Sequence, residues 1–216
     1  MSTVSENEIV PRVLPRGKNA ASREVVRSSQ RLRMLEAMTD LAAKQGYPSV
    51  TIGEIVGSAG VAKPTFYEHF TDKEACFVAL YEQTVDAVVH ALADALDPNA
   101  LVEERVCAGV RAFLRFVAEN DARARILQIE SMKIGPFAAS RVSEAHRRFA
   151  GLYIASREVV RAISPDVPPI SMTRGLAIVG AVNEPVTVML REMPAERVLD
   201  IEDELIAVVR ALALTP

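Results

Sequence analysis

At 216 residues, half of them apolar and a quarter charged, the chain can bury a proper core and is too apolar for global disorder. A net charge of −3 argues against a protein coated in nucleic acid, and no apolar run approaches the length that spans a bilayer. Cys76 and Cys107 lack a CxxC spacing and sit in apolar helical contexts, so reduced, packed thiols are expected. The first residues carry no apolar core flanked by a cleavage site, so a cytoplasmic protein is expected.

Residues 1–27 read as a flexible basic arm. Between Pro11 and Met34 lie Arg12, Arg16, Lys18, Arg23, Arg27, Arg31 and Arg33 against the single acid Glu24. Such a segment can neutralise phosphates or reach into a minor groove, and Arg27 and Arg31 are taken as candidate DNA contacts. A solvated tail is the alternative, since the first 22 residues show no helical period and contain two prolines. A first helix follows over about 29–45, with Leu32, Leu35, Met38, Leu41 and Ala42 at helical spacing.

Residues 51–76, TIGEIVGSAGVAKPTFYEHFTDKEAC, carry the clearest pattern in the chain. Thr51 with Glu54 and Thr71 with Glu74 both fit the Thr-x-x-Glu capping box, which marks two helix starts. Gly60 permits a tight turn between them, and Pro64 suits the first turn of a new helix. Ile52, Ile55 and Val56 give the first short helix an apolar side; Val61, Phe66 and Phe70 do the same for the second. Two short helices joined by a Gly-containing turn describe a helix-turn-helix, whose second helix can lie in a DNA major groove.

The remainder reads as helix after helix. A long one is expected from Lys73 to Leu96, ended by Asp97-Pro98-Asn99. Others are expected over about 101–119, 122–132, 136–162, 171–191 and 195–213, with Pro185 kinking the 171–191 helix. No stretch alternates with period two, so the fold class is all-α.

The string GVAKPTFYEHFTDKEA, with Gly60, Val61, Thr65, Tyr67, Phe70, Lys73 and Glu74, resembles the signature of TetR-family transcriptional regulators, and the match covers about residues 29–80. Two positions depart from the family pattern: Glu68 stands where a basic or aromatic residue is common, and Pro64 replaces a common Gly. The resemblance implies an N-terminal three-helix DNA-binding domain (28–75) joined by a long helix to a helical ligand-binding and dimerisation domain (76–216). It also implies a homodimer built on the last two helices, about 171–191 and 195–213, and a protein that binds double-stranded operator DNA. The expected function is a repressor released by a small, lipophilic effector. Control by a protein partner, or activation, is the alternative.

Within the recognition helix, Lys63, Pro64 and Thr65 occupy the N-terminal end, which meets base edges; Lys63 can donate to guanine and Thr65 to a base or phosphate. Tyr67 and His69 are expected to project outward, and the resemblance implies that they contact phosphate. Thr51 and Lys73 sit at helix N-termini and can each help clamp a phosphate, although Thr51 is equally a plain N-cap. Glu68 reads as a solvated or ion-paired acid, or as an acceptor for cytosine.

The sensor is expected within about 100–170, with Phe113, Phe116, Gln128, Met132, Phe137, His146, Phe149 and Tyr153 as candidate pocket residues, joined by Asn183. An ordinary hydrophobic core gives the same composition. Glu184, beside Asn183 on an apolar helix, is expected to have a partner or reach a cavity. An enzyme is not expected: there is no GxSxG, HExxH, GxGxxG or P-loop spacing, and His69, His90 and His146 stand apart from metal-ligand neighbours. Neither a metal nor a cofactor is expected.

Overall fold

The structure, a computed structural model, describes residues 23–97 and 100–214, with the side chains of 102 and 136–138 left aside. Those residues are all-helical, with no strand among them. They fall into two compact units divided between Ala79 and Leu80, inside one long helix. The greater part of the expected arm, residues 1–22, lies outside the described residues.

In the first unit α1 spans Arg23–Gln45, α2 Ile52–Ala59 and α3 Lys63–His69, and α4 begins at Lys73 and runs to Asp94. The first helix therefore starts well before Ser29, taking in Arg23 and Arg27 that were expected in the arm. A 3-10 turn over Tyr47–Ser49 links α1 to α2. Met34, Met38, Ala42, Ile55, Phe66, Phe70 and Phe77 form the buried centre. Each fully buried side chain of this size contributes about 1.5–3 kcal/mol.

The capping box at Thr51 is present as expected: Glu54 N donates to Thr51 Oγ1 at 3.2 Å, and Thr51 N donates to Glu54 Oε2 at 2.9 Å. The second box is not. Ala75 N donates to Asp72 Oδ1 at 2.7 Å, so Asp72 caps α4, and Thr71 only donates its hydroxyl to Asp72. A carboxylate at the N-cap accepts the orphan amide and also faces the positive end of the helix dipole, which favours Asp over Thr. Between α2 and α3, Gly60 takes the left-handed conformation (φ 63°), and Val61 N donates back to Val56 O at 3.1 Å, closing a Schellman turn.

The second unit holds the rest of α4, then α5 (Val102–Glu119), α6 (Asp121–Gln128), α7 (Pro136–Arg161), α8 (Met172–Glu192) and α9 (Glu202–Leu214). Two expected helices are shorter than the sequence suggested. The 122–132 helix ends at Gln128 and gives way to a 3-10 turn over Glu130–Lys133. Residues Ala195–Ile201 are also 3-10. There Ala195 and Val198 are buried and Ile201 partly so, a spacing of three that matches a three-residue turn. Helix α8 runs unbroken through Pro185.

Helix α7 packs on α8, and α5 on α9. A Cβ on Gly175 would stand 3.0 Å from the Ala150 methyl, so the glycine lets α8 approach α7 closely. Arg125 reaches from α6 to donate to the Leu190 carbonyl at 2.7 Å. No described helix is long and apolar enough to cross a membrane. Cys76 is buried, and burial pushes its thiol up to about 12, so it is an inert packing residue.

Candidate nucleic-acid interface and ligand cavity

Helix α3 is short, and its orientation is fixed by what it buries. Phe66 and Phe70 point into the core with ring centroids 5.5 Å apart. That leaves Lys63, Pro64, Tyr67 and Glu68 exposed, with Thr65 partly so. Tyr67 is 52% exposed and stands edge-on to Phe66 at 5.6 Å, so its ring is braced on one side and open to solvent elsewhere. Thr51, at the start of α2, is exposed as well. Together these side chains form a polar surface with one cation (Lys63), one carboxylate (Glu68), two hydroxyls and a phenol, which offers donors and acceptors to base edges and phosphates.

His69 differs from the outward placement expected of it. It lies three residues from Phe66, on the same side of the helix, and is half-buried with Nε2 3.5 Å from Gln30 Oε1. Burial, then the charges of Arg27 and Arg31, holds its pKa below the usual histidine value. A neutral ring tied to α1 is the result.

Three residues of α1 face α3. Arg27 Nη2 donates to the Glu68 carbonyl at 3.1 Å, Gln30 meets His69, and the Arg31 guanidinium lies 4.8 Å from the Phe70 ring centroid. Arg33 Nη1 donates to the Ala59 carbonyl at 2.8 Å, bracing the end of α2 just before the turn. Lys73 is also drawn inward: its ammonium donates to the Tyr47 and Pro48 carbonyls at 3.1 and 3.2 Å and sits over the Tyr47 ring. A phosphate at this place would share Lys73 with those carbonyls. Sequence reading missed Gln30, Arg33 and Asp72; pairings between distant residues leave no local pattern to find.

In the second unit, Phe113, Phe149, Tyr153 and Asn183 line one apolar cavity together with Val88, Leu92 and Val179. Behind Asn183 a polar network closes. Gln128 Nε2 donates to Asn183 Oδ1 at 3.3 Å, Thr187 Oγ1 donates to Gln128 Oε1 at 2.9 Å, and Asn183 Nδ2 lies 3.2 Å from His146 Nε2. Burial keeps His146 below the usual histidine pKa, and because the amide Nδ2 of Asn183 can only donate, the contact assigns the acceptor role to His146 Nε2. Phe116 is buried in the core. Met132 is 68% exposed with Arg191 on its sulfur, because the helix ends before it, and the Phe137 side chain lies outside those described. Glu184 is exposed, so it needs neither of the partners expected for a buried acid. Arg105 and Arg157, two of the most buried polar side chains, were passed over. The available signal was Arg105 falling in register with Val106, Val110 and Phe113 on the apolar side of α5.

Among the described residues no group of three or more His, Cys, Asp or Glu is placed to hold a metal ion.

Residues 34–80 match the family described as bacterial regulatory proteins, tetR family. The chain is 28% identical over 131 residues to the HTH-type transcriptional activator FasR of Mycolicibacterium smegmatis, covering 61% of this chain but only 60% of that protein. Its fold is shared with a regulatory protein of the tetR family from Rhodococcus RHA1 (TM-score 0.67, 20% identity, 87% of this chain and 98% of that one). It is also shared with the transcriptional regulator FadR of Bacillus subtilis, solved in complex with stearoyl-CoA (TM-score 0.71, 15% identity, 82% and 96%). Residues 34–80 therefore carry the helix-turn-helix segment of the tetR family of bacterial regulatory proteins, set in an all-helical fold shared with solved regulators of that kind.

Proposed function

We propose that this protein is a cytoplasmic, non-enzymatic transcriptional regulator that binds double-stranded operator DNA as a homodimer and leaves it when a small lipophilic effector binds residues 80–216. The observation that carries the reading is α3: two phenylalanines anchor it while Lys63, Pro64, Thr65 and Tyr67 stand free of the core. Thr51 and, from α1, Arg27 and Arg31 flank that surface, and the basic arm of residues 12–18 precedes it. Lys73 meets phosphate at the edge of that surface, and His69, tied to Gln30, holds the surface in place.

Dimerisation through α8 and α9 is supported by an outward stripe on α8. Leu176, Gly180, Glu184 and Val188 recur every fourth residue and are all exposed, and Val208 is exposed on α9. A second copy places two α3 helices on two half-sites. The cavity lined by Phe113, Phe149, Tyr153 and Asn183 is the reading's effector site, with Gln128 and His146 behind it. The stearoyl-CoA held by the structurally similar regulator of Bacillus subtilis supports an acyl-type effector. The effector can shift the DNA-competent population only by its differential affinity for the two states.

The name of the Mycolicibacterium smegmatis relative favours a second sign of control, activation, which follows from operator position with the same protein surfaces. Fluorescence anisotropy tests the reading: a preformed complex with DNA from beside the gene is titrated with palmitoyl-CoA. Release of the DNA is the expected result. DNA that stays bound under every acyl ligand, and leaves only when a protein partner is added, would sink the effector part.

A further inference from the structure

A second cleft of the 80–216 unit differs from the first in its charge. It is a narrow cleft between α4, α5, α7 and the end of α9, with an internal volume of about 30 Å³. Leu92, Leu96, Val106, Leu152 and Ile170 give it apolar walls. Leu92 and Tyr153 also line the first cavity, so the two spaces share a wall. Among the described residues, the charged side chains lining this cleft are Arg105 and Arg157, and no carboxylate lines it.

Arg105 is unusual. It is only 6% exposed, and its Nε and Nη1 are buried with no hydrogen-bond acceptor among the described residues. A guanidinium carries five donors in a planar fork that matches an oxyanion, and it does not deprotonate in proteins. Leaving such a charge desolvated and unpaired is costly, and an unsatisfied buried group in a native fold calls for a partner. Arg157, 5% exposed, donates Nε to the Pro168 carbonyl at 2.9 Å, which aims it from the other wall. Burial and then the charges of Arg174 and Arg161 disfavour its protonated form, and an anion in the cleft would relieve all three effects.

We propose that Arg105, assisted by Arg157, binds the oxyanion head of an amphipathic ligand whose apolar chain lies along Leu92 and Tyr153. This rests on the effector reading above and adds which end of the ligand is recognised and by which side chains. The shared chemistry is a carboxylate or a phosphate on a long alkyl chain. The phenol of Tyr153, pushed up to about 12 by burial, stays neutral and can flank that chain.

The test uses the full chain and three probes of equal chain length below their critical micelle concentrations: palmitate, hexadecyl phosphate and neutral hexadecanol. Calorimetric titration is expected to show at least one of the anions binding tenfold or more tightly than hexadecanol, and the preferred anion identifies the head group. Arg105→Met, which keeps the volume and removes the charge, is expected to abolish that preference while hexadecanol affinity stays within about twofold. The melting temperature of the ligand-free variant should be no lower than that of the parent, since a buried unpaired charge has been removed. Equal affinity for all three probes overturns the proposal. So does an Arg105→Met variant that melts well below the parent and loses hexadecanol too, which would make Arg105 a structural residue. A protein that binds none of the probes yet binds operator DNA overturns this proposal and leaves the regulator reading standing. Anion-selective binding without any DNA binding does the reverse.

Discussion

Arg27 donates from Nη2 to the main-chain carbonyl of Glu68 at 3.1 Å, so α1 grips the recognition helix by its C-terminal backbone. Carbonyls at a helix C-terminus carry the negative end of its dipole, and a guanidinium is a suitable partner for them. Gln30 and Arg31, three and four residues on, face His69 and Phe70 from the same side of α1. The arginines that precede the helix-turn-helix therefore have a positioning role within the fold, in addition to any they play toward phosphate.

That dual role separates two substitutions. Tyr67→Ala removes an exposed ring that contributes little to the core, so operator affinity should fall roughly tenfold with the melting temperature nearly unchanged. Arg27→Ala should weaken DNA binding and also cost about 1 kcal/mol of stability. Urea unfolding of both variants, alongside a DNA titration, checks the contrast. A Tyr67→Ala protein that binds normally would show that α3 presents a different face.

Gly60→Ala forces a Cβ into the left-handed region at φ 63°. The nearest foreign atom would be Arg33 Nη1 at 3.5 Å, ordinary contact, so the cost is the backbone's own, about 1–2 kcal/mol. A shift of the urea midpoint at unchanged slope is the expected signature.

Asp72→Ala should cost about 1 kcal/mol by removing the cap of α4, and Thr71→Ala clearly less. Equal losses would return the cap to Thr71.

Stability should fall as pH drops below about 6.5, the ordinary value for an unfolded histidine. In the folded protein, burial holds His146 below that value, and His69 is lowered in the same direction. The unfolded chain thus takes up protons first, and stability rises with pH across this window. It is fully present above about pH 6.5 and is lost as pH falls through the folded value. Thermal unfolding at pH 7.5 and 5.5 should show a decline that His146→Gln reduces. An identical decline in that variant would assign the effect elsewhere.

The helix-turn-helix was legible because its signals are local: Thr51 and Glu54 three apart, Gly60 at the turn, Phe66 and Phe70 at helical spacing. The start of α1 was not, since the basic residues before Ser29 carry no apolar period that separates helix from arm. Asp72 took the cap from Thr71 by being the better acceptor one residue nearer the helix, a competition that the Thr-x-x-Glu pattern conceals. In the larger unit helix count was readable from apolar periodicity, whereas the Gln128–Asn183–His146 network joins residues 55 and 37 apart. Pocket and core have the same composition, so Phe113 and Phe149 fall beside a cavity while Phe116 falls in the core. Arg105, a charge on an apolar face, was the one readable mark of the second cleft.

The most direct test of the regulator reading is an anisotropy titration of the protein on DNA from beside its own gene and on unrelated DNA, at 50 and 200 mM salt. Binding to the former about a thousandfold tighter than to the latter, and weakening by at least about tenfold at the higher salt, is the result this account predicts. Weak binding, equal on both DNAs, would contradict it, and would point to Glu68 and Pro64 as marks of an α3 that no longer reads sequence.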